Sequence, residues 1–328
     1  MKALKIIFTG GTIGSTLEEG VIRPDSKKPK ALIQAFHEQY GVDLTRFADF
    51  DEPYTLLSEH LDGAHLFQLI EAVGNAVRHG GYRGILITHG TDTLQYAAAA
   101  LGYAFGTCSV PIVLVSANYP IVDPRTNALK NLCGAIAWLR DCSAGGVWVS
   151  YKSEGVPIQI HRGTRLLAHP QGSDRIESVG NRPAGFYVDR VFCADEQYCE
   201  KADAIAPLYP TNGLPKPNIL RIQPYPGMTY PALTPAIQGV IHETYHSGTL
   251  NLKEAAPFFR QAKELGIPVY VTGTAEGAIY ESAKDFQDYD LQLLPGRSAV
   301  AVYMKLWLTL ACGRDPAETM EAALGGDI

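Results

Sequence analysis

Threonine hydroxyls recur on two glycine-loosened turns within the first hundred residues, Thr9-Gly10-Gly11-Thr12-Ile13-Gly14 and Thr88-His89-Gly90-Thr91-Asp92-Thr93. A neutral threonine hydroxyl is a weak nucleophile. It attacks a carbonyl carbon only when a neighbour takes its proton and amide hydrogens hold the oxyanion that forms. Gly10, Gly11 and Gly90 let the backbone approach a substrate closely, and a helix N-terminus nearby would add amide hydrogens and a positive dipole end. The same features describe a phosphate cradle. Residues 10–14, however, lack the Gly-Lys-Ser/Thr ending of a nucleotide loop and the spacing of the dinucleotide fingerprint. Taken singly, each turn is explained as well by threonines acting as turn and helix-cap residues.

Both turns follow short apolar runs, and the elements around them set where the hydroxyls must lie. The first half of the chain alternates β-rich runs near 4–9, 52–57, 84–88, 111–116 and 145–151 with helical periodicity at Leu66, Leu69, Ile70, Val73, Val77 and at Leu94, Ala97, Ala98, Leu101, Phe105. This is the pattern of a doubly wound parallel sheet, whose carboxyl edge is where open α/β folds place their sites. Asp62 is a candidate N-cap for the first of these helices, and Thr91 or Asp92 for the second. Residues 157–168 read as a hairpin carried on the fifth strand. From about 192 to 218 the chain turns polar and proline-rich, which reads as a connector. A smaller α/β unit follows, with strands near 219–223, 239–241 and 269–272 and helices near 252–264, 298–311 and 316–324. The expected organisation is a larger N-terminal α/β domain over 1–190, a linker over 191–217, and a smaller C-terminal α/β domain over 218–328.

Composition narrows the function classes. The chain has 328 residues, more than one core usually accommodates, with 46% hydrophobic and 19% charged residues. A net charge of −6 offers no basic field for a polyanion, so nucleic acid is not an expected partner. No run approaches the ~18 apolar residues of a membrane span, and residues 1–8 lack signal-peptide character. A cytoplasmic chain with no membrane partner is expected. The six cysteines form no CxxC pair and read as buried free thiols.

The two turns together are more specific than either alone. Thr-Gly-Gly-Thr-Ile at 9–13 and His-Gly-Thr-Asp-Thr at 89–93 closely resemble the paired signature motifs of the asparaginase/glutaminase amidohydrolase family. Residues 19–24 resemble its flexible loop, 111–118 its fourth strand, Arg162-Gly163-Thr164-Arg165 a hairpin segment of the cytoplasmic type I branch, and 225–228 the start of its small domain. The resemblance implies hydrolysis of a small side-chain amide through an acyl-enzyme. It makes Thr12 the nucleophile, Thr91 the second threonine, which in the family works with a lysine, and Asp92 the group that binds the substrate's α-amino group. Gly11, Gly90 and Thr91 would supply oxyanion donors from the backbone. No metal or organic cofactor is implied, and the expected assembly is a homodimer or homotetramer.

The chain departs from the family pattern at four places. Val21 stands where the mobile loop carries a tyrosine. The Ser-x-Asp pattern that grips the substrate's α-carboxylate reads His60-Leu61-Asp62, with Ser58 two residues early, so Asp62 and His60 become the substrate-binding candidates. The lysine expected after Arg165 is absent, since Leu166-Leu167-Ala168-His169 follow; Lys152 is the expected substitute base. Ser247-Gly248-Thr249 replaces a Gly-Asn pattern in the small domain.

Two rival readings belong to other classes. His242-Glu243-Thr244-Tyr245-His246 spells the HExxH signature of a zinc hydrolase, which requires a helix bringing both histidines to one face. Residues 239–241 read as a strand instead, and Ser247-Gly248 stops any helix directly after His246. The other rival is a non-catalytic ligand-binding protein that keeps the amidohydrolase shape without its chemistry.

Overall fold

The computed structural model describes residues 2–11, 13, 15–18, 21–24, 28–141, 144–274 and 280–328, with the backbone alone at 15–18, 21–24, 28–30 and 282. Thr12 and Cys142 lie outside the described residues. Among the described residues, ten strands form the N-terminal part: β1 (Leu4–Phe8), β2 (Ser15–Glu18), β3 (Val21–Pro24), β4 (Ala48–Asp51), β5 (Gly84–Thr88), β6 (Pro111–Val115), β7 (Gly146–Tyr151), β8 (Ile158–Arg162), β9 (Gly185–Val188) and β10 (Val191–Ala194). Eight of them make one sheet in the order β10-β9-β8-β7-β6-β5-β1-β4. The run from β4 to β7 is parallel, and β8, β9 and β10 add antiparallel strands. β2 and β3 pair as a separate hairpin.

Helices cover both faces because successive strand residues point to opposite sides. Ile7, Ile85, Ile87, Ile112 and Val149 pack with α2 (Gly63–His79) and α3 (Leu94–Phe105). Ile6, Phe8, Leu86, Val113 and Trp148 pack on the other face with α1 (Lys28–Tyr40) and α4 (Ala128–Asp141). Buried on both faces, β5 and β6 are continuously apolar, as Ile85 to Ile87 and Ile112 to Val115 show. The chain leaves β1 toward α1 on one face and β5 toward α3 on the other. The carboxyl ends of these neighbours therefore border a switch-point crevice.

The second sheet is wholly parallel, in the order β11 (Ile219–Ile222), β12 (Gly239–Glu243), β13 (Val269–Thr272) and β14 (Gln292–Leu293). α5 (Leu252–Glu264) packs on one face; α7 (Ala299–Ala311) covers the other and lies against α3, with the one-turn helices α6 (Glu281–Lys284) and α8 (Pro316–Thr319) beside them. The alanine-rich α3 is buried between the large sheet and α7. Small side chains there let neighbouring backbones come close.

Several elements differ from the sequence expectation. The strand beside β1 is Ala48–Asp51, not 52–57. Asp49 and Asp51 disguise it, and they are tolerated because β4 is an edge strand with one open side. Residues 52–57 instead run alongside the first turn, joined to it by a bridge between Gly10 and Leu56. Residues 21–24, read as loop, are β3, and the expected hairpin ends at Arg162 before a 3-10 turn, Gly163–Arg165. α4 has no counterpart among the expected helices and is carried by Leu132, Ala135, Trp138 and Leu139. β10 forms within the stretch that reads as connector. The described cysteines are free, yet Cys108, Cys133, Cys193 and Cys312 are half-buried and Cys199 is exposed, so only the thiol state fits the expectation.

Candidate active site

The two threonine turns meet at the crevice. Gly11 has a φ of +77°, and a Cβ there would lie 2.4 Å from the backbone of Gly90. Gly90 needs no left-handed geometry; its constraint is space, because a Cβ would lie 2.4 Å from both Cβ and Oγ of Ser58. Gly11, Gly90 and Ser58 thus form one packed cluster at the ends of β1 and β5. The first turn is laced to the chain before Ser58: Gly11 N–H donates to Leu56 O at 2.9 Å and Leu56 N–H to Thr9 O at 3.3 Å. Thr9 Oγ1 donates to Thr88 O at 2.7 Å, tying the first turn to the second. The N–H of Gly11 itself is thus taken up by Leu56 O.

Ser58, set aside in the sequence as two residues early, is the residue at the cluster. It is buried, and its Oγ lies 3.5 Å from Asp92 Oδ2. Thr93 Oγ1 donates to Ser58 O at 2.9 Å, holding the one-turn helix Ser58–His60 against the start of α3. Asp62 performs a different task. It is the N-cap of α2, with Oδ1 accepting from His65 N–H at 3.0 Å and facing His65 Nδ1 at 2.7 Å. The His65 backbone hydrogen bond holds its carboxyl below the usual range. His60 is exposed, and neither it nor Asp62 lines the cavity described below. The spacing argument missed Ser58 because a helix cap and a ligand group both present a short oxygen-bearing side chain ahead of a helix.

Thr91 and Asp92 open onto a cavity of about 700 Å³ across the carboxyl ends of β5, β6 and β7, also lined by Asn118, Tyr151, Lys152 and His169. Thr91 Oγ1 donates to Ala117 O at 2.9 Å and lies 2.8 Å from Ser116 Oγ. Asp92 is exposed at the rim. Lys152 shares the cavity, but its ammonium donates to Ser153 O at 3.0 Å rather than to Thr91. Its backbone is fixed from α4 and the loop before it: Asn131 Oδ1 accepts from Lys152 N–H at 2.7 Å, and Asn127 Nδ2 donates to Lys152 O at 3.0 Å. Asn127 and Asn118 exchange side-chain to backbone hydrogen bonds at 3.0 and 3.1 Å, which shapes the cavity floor. Arg125 also reaches the cavity, paired with Asp123 at 2.7 Å and lying over the Tyr119 ring.

The histidines divide by environment. His89 is buried, its Nδ1 donates to Gly90 O at 2.9 Å, and desolvation lowers its pKa to about 4, so near neutrality it is an uncharged brace for the second turn. His169 Nε2 donates to Ser173 O at 2.7 Å; its Nδ1 is buried without a hydrogen-bond partner among the described residues. His242 and Glu243 end β12, where alternation sends them to opposite faces. His242 is buried, with Nε2 3.0 Å from Tyr230 OH and Nδ1 2.6 Å from Glu243 O, and Glu243 pairs with Arg221 at 2.9 Å. His246 is exposed. The HExxH spelling therefore does not fold into the helical geometry that a zinc hydrolase needs, and no group of three or more metal-binding side chains gathers among the described residues.

Arg162-Gly163-Thr164-Arg165 sits away from the cavity. Arg162 Nε and Thr164 Oγ1 both donate to Gly325 O, at 2.9 and 2.8 Å, and Arg165 Nε donates to Gly326 O at 2.7 Å. Asp327, fully buried, accepts from Lys305 Nζ at 2.9 Å, Arg297 Nε at 3.3 Å and Tyr103 OH at 3.2 Å. The segment that resembles the family's hairpin, after which the resemblance implies a lysine, is tied here to residues 325 and 326.

A doubly wound sheet with a smaller parallel sheet behind it, carrying two threonine turns packed glycine to glycine at the switch point, defines the class. The chain belongs to the asparaginase family: the family model for the asparaginase N-terminal region matches residues 3–196. Its relatives include a glutamyl-tRNA(Gln) amidotransferase subunit of Methanopyrus kandleri, 31% identical over 186 residues covering 55% of this chain and 40% of that protein. The same subunit of the Pyrobaculum aerophilum amidotransferase is 34% identical over 188 residues, 56% of this chain and 43% of that one. The chain thus matches less than half the length of these curated relatives. Among solved structures, the thermostable L-asparaginase of Thermococcus kodakarensis shares the fold with a TM-score of 0.73 at 24% identity, over 98% of this chain and 96% of that one. L-asparaginase I of Vibrio cholerae gives 0.75 at 20% identity, over 100% and 99%. No described helix is long and apolar enough to cross a membrane.

Proposed function

We infer that the chain is an amidohydrolase that hydrolyses the side-chain amide of a small amino-acid amide, asparagine or glutamine or a close relative, to the acid and ammonia. The observation that carries this reading is the packing of Gly11 on Gly90, which brings the two threonine turns together beside Asp92 and a cavity. In the proposed reaction the Thr12 hydroxyl oxygen bonds to the amide carbon, its proton passes through a base to the departing nitrogen, and ammonia leaves. Water then adds to the ester; the acid departs and the Thr12 hydroxyl is restored. The amides of Gly90 and Thr91 receive the oxyanion. Asp92 binds the substrate's α-ammonium, Ser58 orients Asp92 and meets the α-carboxylate, and Lys152 is the base.

The two curated relatives belong by name to a glutamyl-tRNA(Gln) amidotransferase, which keeps glutamine in the substrate set. A homodimer or homotetramer in the cytoplasm completes the proposal. One observation favours the binding-protein alternative, namely that the hydroxyl of Thr91 is held by a serine and a carbonyl rather than by an ionisable group. Ammonia release from a panel of asparagine, glutamine and their D-forms separates the two. Turnover that vanishes in Thr12→Ala and falls by about 10²- to 10⁴-fold in Lys152→Met supports the enzyme with this base. Turnover that survives in Thr12→Ala removes the nucleophile assignment, and binding of these amino acids without any ammonia favours the alternative.

A further inference from the structure

One arrangement of protons satisfies both partners of Thr91 at once. Ala117 O can only accept, and it lies 2.9 Å from Thr91 Oγ1, so the single hydrogen of the threonine hydroxyl is directed there. With that hydrogen spent on Ala117 O, the 2.8 Å contact is filled by Ser116 Oγ donating to Thr91. One lone pair of Thr91 Oγ1 is left. Thr91 lines the cavity, which leaves that lone pair available to a group that enters it.

Ser116 is built into the sheet rather than placed at the surface. It directly follows β6, is fully buried, and has its carbonyl held by Asn131 Nδ2 at 2.8 Å. Asn131 is itself fully buried and accepts from Lys152 N–H, so a single α4 side chain fixes the ends of both β6 and β7. A buried hydroxyl is retained against its desolvation penalty only where it is hydrogen-bonded, and Thr91 is the partner of this one. We propose that Ser116 is a positioning residue for the reaction inferred above. Its O–H pins the Thr91 hydroxyl, keeps the Thr91 O–H donating to Ala117 O, and leaves the remaining lone pair for the substrate amide or the attacking water. It is a neutral donor at the oxygen for which the family resemblance implied a lysine.

The inference rests on the amidohydrolase reading, and one kinetic set separates the two. Ammonia release is measured for the parent, Thr91→Ala, Ser116→Ala, Ser116→Thr and the Thr91→Ala/Ser116→Ala double variant, with a thermal midpoint for each. Ser116→Ala is expected to lower kcat about tenfold, the worth of one hydrogen bond, and to leave KM within about twofold. Ser116→Thr restores the hydroxyl and most of kcat. Removing the Ser116 hydroxyl in the Thr91→Ala background changes nothing further, because Ser116 acts only through Thr91. Full kcat in Ser116→Ala, or effects that multiply in the double variant, overturn the proposal and leave the amidohydrolase reading standing. Should Thr91→Ala fall below detection, recovery in Ser116→Thr supports the proposal and failure to recover overturns it. A parent protein that releases no ammonia from any amide overturns both.

Discussion

At the scale of single residues, two short side chains before α2 have opposite duties. Asp62 caps the helix, so Asp62→Ala is expected to cost about 1 kcal/mol of stability with KM unchanged, read by urea unfolding and ammonia kinetics. Ser58→Ala should leave stability nearly unchanged and raise KM, since it faces Asp92. The reverse pattern would favour Asp62 as the ligand group. Gly11→Ala should be more damaging than either, by about 2–4 kcal/mol, because its φ is left-handed and the atoms it would strike belong to the Gly90 backbone and cannot turn away. The turns around these glycines were legible because a strand, a glycine pair and a threonine form a local code. The role of Ser58 was not, because it meets Asp92 across 34 residues of chain, a relation that no spacing within one motif encodes. The Ser116–Thr91 pair, 25 residues apart, was hidden for the same reason.

At the scale of elements, apolar periodicity carried most of the fold. Buried strands such as β5 and β6 and the amphipathic α5 read directly from their side chains. Legibility failed where tertiary context overrides the pattern. β4 alternates with aspartates that only an edge position permits, and the hairpin turn of β9 and β10 puts Asp189 and Arg190 at φ values of 47° and 67°, a geometry usually announced by glycine or asparagine. Arg162 to Arg165 lie at the end of the expected hairpin, but their partners could not be read, because Gly325 and Gly326 lie far along the chain, 163 and 161 positions from Arg162 and Arg165 respectively. An Arg162→Met variant tests that anchoring role: the thermal midpoint should fall, with KM unaltered in the fraction that remains folded. A specific rise in KM at unchanged midpoint would instead give the segment a role in binding.

At the scale of the whole molecule, burial of charge sets the response to acid and to mutation. His89, His161 and His242 each have a pKa lowered by desolvation to about 4, against 6.5 for the free side chain. The unfolded chain therefore takes up these protons first as the pH falls. The stability they confer is fully present above pH 6.5 and is lost progressively as the pH drops toward 4, by an amount on the order of 2–3 kcal/mol for each. Urea midpoints measured across that window should decline, and His161→Asn should flatten the decline; a midpoint independent of pH from 6.5 to 4 would contradict the assignment. Asp327 is the larger liability. Asp327→Asn leaves Lys305 and Arg297 buried without a carboxylate and is expected to cost about 3–5 kcal/mol, seen as a lowered thermal midpoint.

That carboxylate has a mechanical corollary. Tyr103 belongs to α3 of the large sheet and Lys305 to α7 of the small one, and both grip the same Asp327 oxygen. Swinging the two sheets apart like a clamshell would tear a staple made of buried charge. In the proposed reaction, a molecule reaching Thr91 would then enter by the cavity across the carboxyl ends of β5 to β7, on the far side of the sheet ends from any such hinge.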